Sequence, residues 1–181
     1  MIHKPRKEYK KELFDEKKSI FHRRLIYDEL LAHQFFFRGK YHENKSYKSK
    51  PILYSNSAHK NFLNNLEFKL TNQQQSSFLE IKNDLNQSHP MNRLLQGDVG
   101  SGKTVVAAMA ALQVINSDFQ VVFMAPTEIL AQQHFSSISE ALKNLSLQVK
   151  ILTGSSKNKD RLIMFEELKK GTVNILIGTH A

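Results

Sequence analysis

Apolar residues recur at helical spacing over residues 9–38. Phe14, Phe21 and Leu25 fall at intervals of seven and four, Leu13, Ile20, Ile26, Leu30 and Leu31 flank them, and neither Pro nor Gly intervenes before Gly39. The spacing predicts one long, basic, amphipathic helix. Phe35, Phe36 and Phe37 near its end cannot all face one side, so part of this cluster must meet another surface. Residues 39–66 are polar, with a lone Pro51 and few periodic apolar positions, and read as a connector. From Glu67 the texture changes. Thr71 followed by Gln74 forms a capping box for a helix that carries Phe78, Ile81 and Leu85 on one stripe. Four short apolar segments come next, at 91–96, 120–125, 148–152 and 173–177, separated by helical patterns near 103–116, 128–144 and 158–170. Apolar strands alternating with amphipathic helices predict an α/β fold, a parallel sheet with helices on both faces and functional loops at the carboxyl ends of the strands. The chain thus divides into a basic helix (1–38), a connector (39–66) and an α/β domain (67–181).

Composition narrows the chemistry. The absence of Cys excludes disulfide scaffolds, thiolate zinc sites, iron–sulfur clusters and cysteine nucleophiles. No run approaches the roughly 18 apolar residues of a membrane span, and the opening residues lack the apolar block of a secretory signal. The expectation is a cytoplasmic chain with no membrane partner. Net charge is 26 − 17 = +9, and it is concentrated at the front: residues 1–50 hold 14 Lys/Arg against 7 Asp/Glu, and residues 51–181 hold 12 against 10. A polyanion such as nucleic acid fits that asymmetry, because Lys/Arg contacts to phosphate release condensed counterions. A solvated helix face fits it equally well.

One motif is specific. The first apolar segment runs directly into Gly97-Asp98-Val99-Gly100-Ser101-Gly102-Lys103-Thr104, followed by a helical pattern rich in Val and Ala, which satisfies G-x-x-x-x-G-K-[ST] in the order strand, loop, helix. Glycines let the backbone curl so that successive amide N–H groups converge on a phosphate, and the dipole of the following helix adds positive potential there. Lys103 is placed to neutralise β/γ-phosphate charge. Thr104 offers a hydroxyl to Mg²⁺, a hard cation that prefers oxygen ligands. ATP and Mg²⁺ are therefore the expected cofactors. The loop alone does not choose among kinases, transporters, switches and motors.

The surrounding text does choose. "MNRLLQGDVGSGKTVVAAMAAL", "VVFMAPTEILAQQH", "ILTGSSK" and "ILIGTHA", in this order and spacing, resemble the first motor lobe of the RecG-type ATP-dependent DNA helicases of superfamily 2. "RRLIYDELLAHQ" resembles the helix preceding that lobe, and "LEFKLTNQQQ" the segment leading into it. The resemblance implies a RecA-like phosphate-loop lobe, incomplete in this chain, from a monomeric parent. That parent couples ATP hydrolysis to remodelling of branched DNA, such as replication forks and Holliday junctions, in recombination and repair. It implies that Gln74 contacts adenine, although the capping box accounts for the same residue. Phe68 is expected either near the base or, more conservatively, in the core. Pro126, Thr127 and Glu128 match the first DNA-backbone motif, with Thr127 equally a helix N-cap, and Thr153, Gly154, Ser155, Gly178, Thr179 and His180 match further backbone-contacting loops on the same rim. Gln133 and His134 read as an ordinary polar helix face.

The resemblance also says what is missing. The Asp-Glu box that holds Mg²⁺ should come after Ala181, on a strand lying between the phosphate-loop strand and the second strand, and Glu166-Glu167 falls in a helical pattern instead. The second lobe, its arginine finger and the amino-terminal wedge domain are absent from these residues. The expectations are negligible ATP hydrolysis by this polypeptide alone and a marginally stable sheet with an open edge. Two competing readings remain at this point: another phosphate-loop NTPase, and a non-catalytic nucleic-acid-binding chain acting through its basic helix.

Overall fold

A computed structural model describes residues 19–180 and resolves the chain into two compact units, one ending at Lys48 and the other starting at Ser49. The part of the expected first helix before residue 19 lies outside the described residues. What is described is a single helix, α1 (Ile20–Ser46), with no buried side chain. It is capped by Ser19, whose hydroxyl accepts from the His22 N–H at 3.4 Å. The helix runs through Gly39 instead of stopping there. A mid-helix glycine costs only about 1 kcal/mol relative to alanine. The good helix formers Arg38 and Lys40 flank it, and Lys40 pairs with Glu43 one turn on at 2.7 Å.

The expected connector is divided between the two units and is itself partly helical. α2 (Asn56–Asn64) buries His59 and Phe62 completely. α3 (Asn72–Leu85) starts at the capping box: the Gln74 N–H donates to Thr71 Oγ1 at 3.2 Å and the Thr71 N–H donates to Gln74 Oε1 at 2.9 Å. Phe78 and Ile81 of its stripe are buried, and Leu85 packs beside them. α4 (Lys103–Ile115), β1 (Val121–Met124), α5 (Glu128–Leu142), β2 (Val149–Leu152), α6 (Asn158–Lys169) and β3 (Ile175–Gly178) complete the order.

The three strands form a parallel sheet in the order β1-β3-β2, with Ile175 level with Val121 and Val149, and Ile177 level with Phe123 and Ile151. The central strand is the driest: Ile175 and Ile177 are fully buried. Val105, Val106, Ala108, Met109 and Leu112 of α4 join Ala131, Ile138 and Leu142 of α5 in the same core. α6 is tied on through Lys150 and Glu167 at 3.6 Å.

Segment 91–96 does not form the expected strand. Its N–H and C=O groups find no ladder partner among the described residues, because no described strand lies beside it, and Leu94 is left 85% exposed. A parallel strand exists only through its neighbours. The segment is tethered instead by Arg93, which pairs with Glu80 and Asp84 of α3.

Candidate functional site

The loop between segment 91–96 and α4 has the backbone that its glycines allow. Gly102 is the N-cap of α4 at φ +81°, and Gly100 has φ +78°. A Cβ in this left-handed region costs about 1–2 kcal/mol. The turn closes where the Ser101 N–H donates to Asp98 O at 3.2 Å, and the helix starts where the N–H groups of Val105 and Val106 donate to Gly102 O at 3.1 and 3.4 Å. Among the described residues, the amides of Gly100, Gly102, Lys103 and Thr104 donate to no protein acceptor. These are the orphan donors of a helix start, where the macrodipole also favours an anion.

Lys103 folds back over the loop. Its Nζ donates to Gly97 O at 2.8 Å and to Asp98 O at 2.6 Å, which holds the ammonium across the turn and leaves its third proton unassigned. Asp98 contributes its carbonyl, and Asp98 and Val99 both stand exposed. Thr104 is half-buried in the first turn of α4.

Gln74 connects this loop to the helix that precedes it. Its Oε1 closes the capping box, while its Nε2 donates to Ser101 O at 3.0 Å. One side-chain amide thus holds the start of α3 and the phosphate loop together. Beside it lies a cavity of about 320 Å³ lined by Phe68, Gly102, Thr104, Val105, Glu140 and Lys143 among others. The conservative placement of Phe68 in the core is not what the structure shows. Its ring is 54% exposed and lines both this cavity and a second one of about 490 Å³ against Tyr54, Phe78 and Lys82. Residues 66–70 cross the surface between α2 and α3, and a side chain there meets solvent on one flank.

The loops after the three strands meet at the carboxyl edge of the sheet. The Ala125 N–H donates to Gly178 O at 2.8 Å and the Thr179 N–H donates to Leu152 O at 3.4 Å, so backbone bonds tie all three loops together. Thr127 caps α5 by accepting from the Leu130 N–H at 3.3 Å, and Pro126 and Thr127 are both exposed. Thr153 and Ser155 share a hydroxyl contact of 2.9 Å; Gly154, Ser155 and His180 are exposed and Thr179 is half-buried. No hydrogen bond joins these loops to the phosphate loop among the described residues. His134 is half-buried on α5 beside the exposed Gln133.

The sequence places Glu128 at the rim but not its contact with Ser155, and it does not single out Arg161. Glu128 accepts from the Ser155 N–H at 2.8 Å and from Ser155 Oγ at 3.0 Å, and these bonds hold its carboxyl below the usual carboxylate range. Arg161 donates to Thr153 O at 2.9 Å and to Gly154 O at 3.3 Å. Together they grip the turn from both sides. Nothing local in the sequence links Glu128 to a residue 27 positions away.

Comparison with known proteins agrees with this geometry. Residues 71–181 match the DEAD/DEAH box helicase family. The chain is 42% identical over 163 residues to the ATP-dependent DNA helicase RecG of Aquifex aeolicus, covering 90% of this chain and 21% of that protein. It is 39% identical over 181 residues to that of Haemophilus influenzae, covering all of this chain and 26% of that protein. The chain therefore spans about a fifth to a quarter of the length of these relatives. A solved structure described as RecG bound to a three-way DNA junction superposes with a TM-score of 0.82 at 32% identity, over 99% of this chain and 27% of that one. A hypothetical ATP-dependent RNA helicase from Sulfolobus tokodaii shares the fold alone, with a TM-score of 0.51 at 19% identity. A phosphate loop at the start of a helix, a parallel sheet with a polar rim and a family match over most of the second unit converge on one assignment: the chain belongs to the DEAD/DEAH box helicases, and its likeness runs to the RecG type.

Proposed function

We propose that the second unit is the nucleotide-binding part of a RecG-like DNA motor. In this reading the loop Gly97–Thr104 seats the triphosphate of ATP, and Gln74 and Phe68 lie on the side from which the base approaches. The rim formed by Pro126, Thr127, Thr153, Gly154, Ser155, Thr179 and His180 grips the DNA backbone. One observation carries the reading: the amides of Gly100, Gly102, Lys103 and Thr104 donate to no protein acceptor among the described residues, at a helix start where the Lys103 ammonium is held across the turn. Thr104, in the first turn of α4, would hold Mg²⁺ through its hydroxyl, a hard oxygen ligand of the kind that ion prefers. The ion would supply charge neutralisation between the phosphates.

Hydroxyls and backbone amides on the rim suit phosphates better than base edges, so DNA binding would be tolerant of sequence and steep in salt. Remodelling of branched DNA is proposed for the parent enzyme from its relatives. This polypeptide alone should bind ATP yet hydrolyse it negligibly. Glu166 and Glu167 lie in α6, and Glu128 at the rim is committed to Ser155. Among the described residues no helix is long and apolar enough to cross a membrane.

Titration of a fluorescent ATP analogue, with and without Mg²⁺, tests the loop. Binding should be tighter with Mg²⁺ and should fall at least tenfold in Lys103→Ala. Equal affinity of the two proteins overturns the reading.

A further inference from the structure

α1 carries a charge asymmetry that the rim does not use. At 100° per residue, Arg23, Tyr27, Gln34, Arg38, Tyr41 and Lys45 fall within an arc of about 60° that also takes in Ile20 at the amino-terminal end, and all seven are exposed. The acidic residues of the same helix, Asp28, Glu29 and Glu43, all lie outside that arc by about 80° or more. Their partners follow them: Asp28 pairs with Arg24 at 3.0 Å and Glu43 with Lys40 at 2.7 Å. Among the described residues Arg23, Arg38 and Lys45 pair with no carboxylate. Lys45 instead stands 4.6 Å from the centre of the Tyr41 ring, an aromatic rest that limits where its ammonium can go.

We infer that this face of α1 docks on the phosphate backbone of duplex DNA. Charge complementarity selects the occupant: three cations without carboxylate partners stand among two tyrosine hydroxyls and an amide that can also donate to phosphate oxygens, and no carboxylate of the helix shares the arc. The geometry selects a duplex. From Arg23 to Lys45 the stripe extends about 33 Å at 1.5 Å per residue, close to the 34 Å of one duplex turn. An acidic protein could also meet such cations, with Leu30 and Leu31 exposed along the two edges of the stripe, and the comparison of polyglutamate with duplex below separates the two.

The test is the salt dependence of binding of the whole chain to a fluorescent 30-base-pair duplex. Each phosphate contact contributes about 0.9 to the slope of log K against log salt. The triple variant Arg23→Ala, Arg38→Ala, Lys45→Ala should therefore lose about 2.7 from the slope and about a hundredfold in affinity at 0.15 M salt, with the loss vanishing near 1 M. Exchanging the three cations (Arg23→Lys, Arg38→Lys, Lys45→Arg) should restore the slope, and Lys40→Ala, off the stripe, should barely change it. An unchanged slope in the triple variant, an equal loss in Lys40→Ala, a loss that persists at 1 M, or tighter binding of polyglutamate than of duplex would each overturn the inference. The rim variant Thr153→Val, Ser155→Ala is measured alongside. If the rim reading fails, that variant binds normally while the α1 slope change remains. If the α1 reading fails, the reverse holds.

Discussion

Gly102 offers the sharpest test of how the phosphate loop is held. An alanine there meets two penalties that the structure separates. The first is conformational: φ +81° puts the new side chain in the left-handed region, at about 1–2 kcal/mol. The second is steric. A Cβ at this position falls inside contact distance of Gln74 Nε2 and 3.3 Å from its Cδ, so the glutamine must swing away. In leaving, it loses the bond to Ser101 O at 3.0 Å and the bond from the Thr71 N–H at 2.9 Å. Each is solvent-exposed and contributes about 0.5 kcal/mol, the low end for a protein hydrogen bond. The total for Gly102→Ala is about 2–3 kcal/mol, or about 4–12 °C in Tm for a chain of this size.

The partition is checkable with Gln74→Ala, which alone should cost about 1 kcal/mol through the capping box and the Ser101 bond. In the double variant the steric part has already been lost, so only the conformational part of the Gly102 change adds to it. The two singles should therefore exceed the double by about 1 kcal/mol in urea unfolding followed by circular dichroism. Additive costs would refute the claim that Gln74 braces the loop. A Gly102→Ala cost below about 0.5 kcal/mol would refute the backbone argument as well.

Other outcomes follow from the core and the rim. Phe62→Ala empties a fully buried site in α2 and should cost about 3–5 kcal/mol in urea unfolding; a loss below about 1 kcal/mol would show that α2 is not part of the second unit's core. Glu128→Gln should speed hydrogen exchange of the Ser155 amide, because the charged acceptor of that N–H becomes neutral. The Glu128 carboxyl titrates below its ordinary 4.5, so its contribution is present above that value and is lost as pH falls through the lowered one. An NMR titration of Glu128 at or above 4.5 would contradict this. His59 behaves in the opposite sense. Burial lowers its pKa below 6.5, the unfolded chain takes the proton first, and stability should fall as pH drops below about 6.5. His59→Gln should flatten unfolding free energy between about pH 5 and 7, and equal slopes in both proteins would refute the assignment.

His59 also shows why the middle of the chain was hard to read. Its Nδ1 faces Ser55 O at 3.1 Å, its Nε2 faces Met109 O at 2.8 Å, and its ring packs against both Tyr54 and Phe78. α2 exists because His59 and Phe62 reach across to α3 and α4, and neither its composition nor any cap advertises it. Its N-cap Ser55 makes no side-chain capping bond. A histidine counted as polar turns out to be a core residue. By contrast, the capping box at Thr71 and the turn at Gly100–Gly102 were legible because their causes are local: a hydroxyl three residues from an amide, and a φ that only glycine tolerates cheaply. The rim was half legible. Its loops could be placed by following each strand, but the Glu128–Ser155 clamp joins two of them through the fold.

The unformed strand at 91–96 marks the limit of periodicity as an argument. Leu94 and Leu95 have the apolar character of a buried strand, yet Leu94 is 85% exposed and the backbone of the segment pairs with nothing described. Hydrophobicity states that a segment seeks burial, whereas a parallel strand needs hydrogen-bonded neighbours that come from elsewhere in the chain. On the side of β1 away from β3 no described strand lies, and Val122 and Met124 stand 62% and 59% exposed. The phosphate loop nevertheless keeps its turn, because Gln74, Lys103 and the glycines hold it from the α3 and α4 side. The loop's shape is thus separable from the sheet's completion. On the function proposed above, nucleotide binding should therefore not depend on pairing of segment 91–96, and failure of this chain to bind a fluorescent ATP analogue while Gln74 and Lys103 hold the turn would refute that separation.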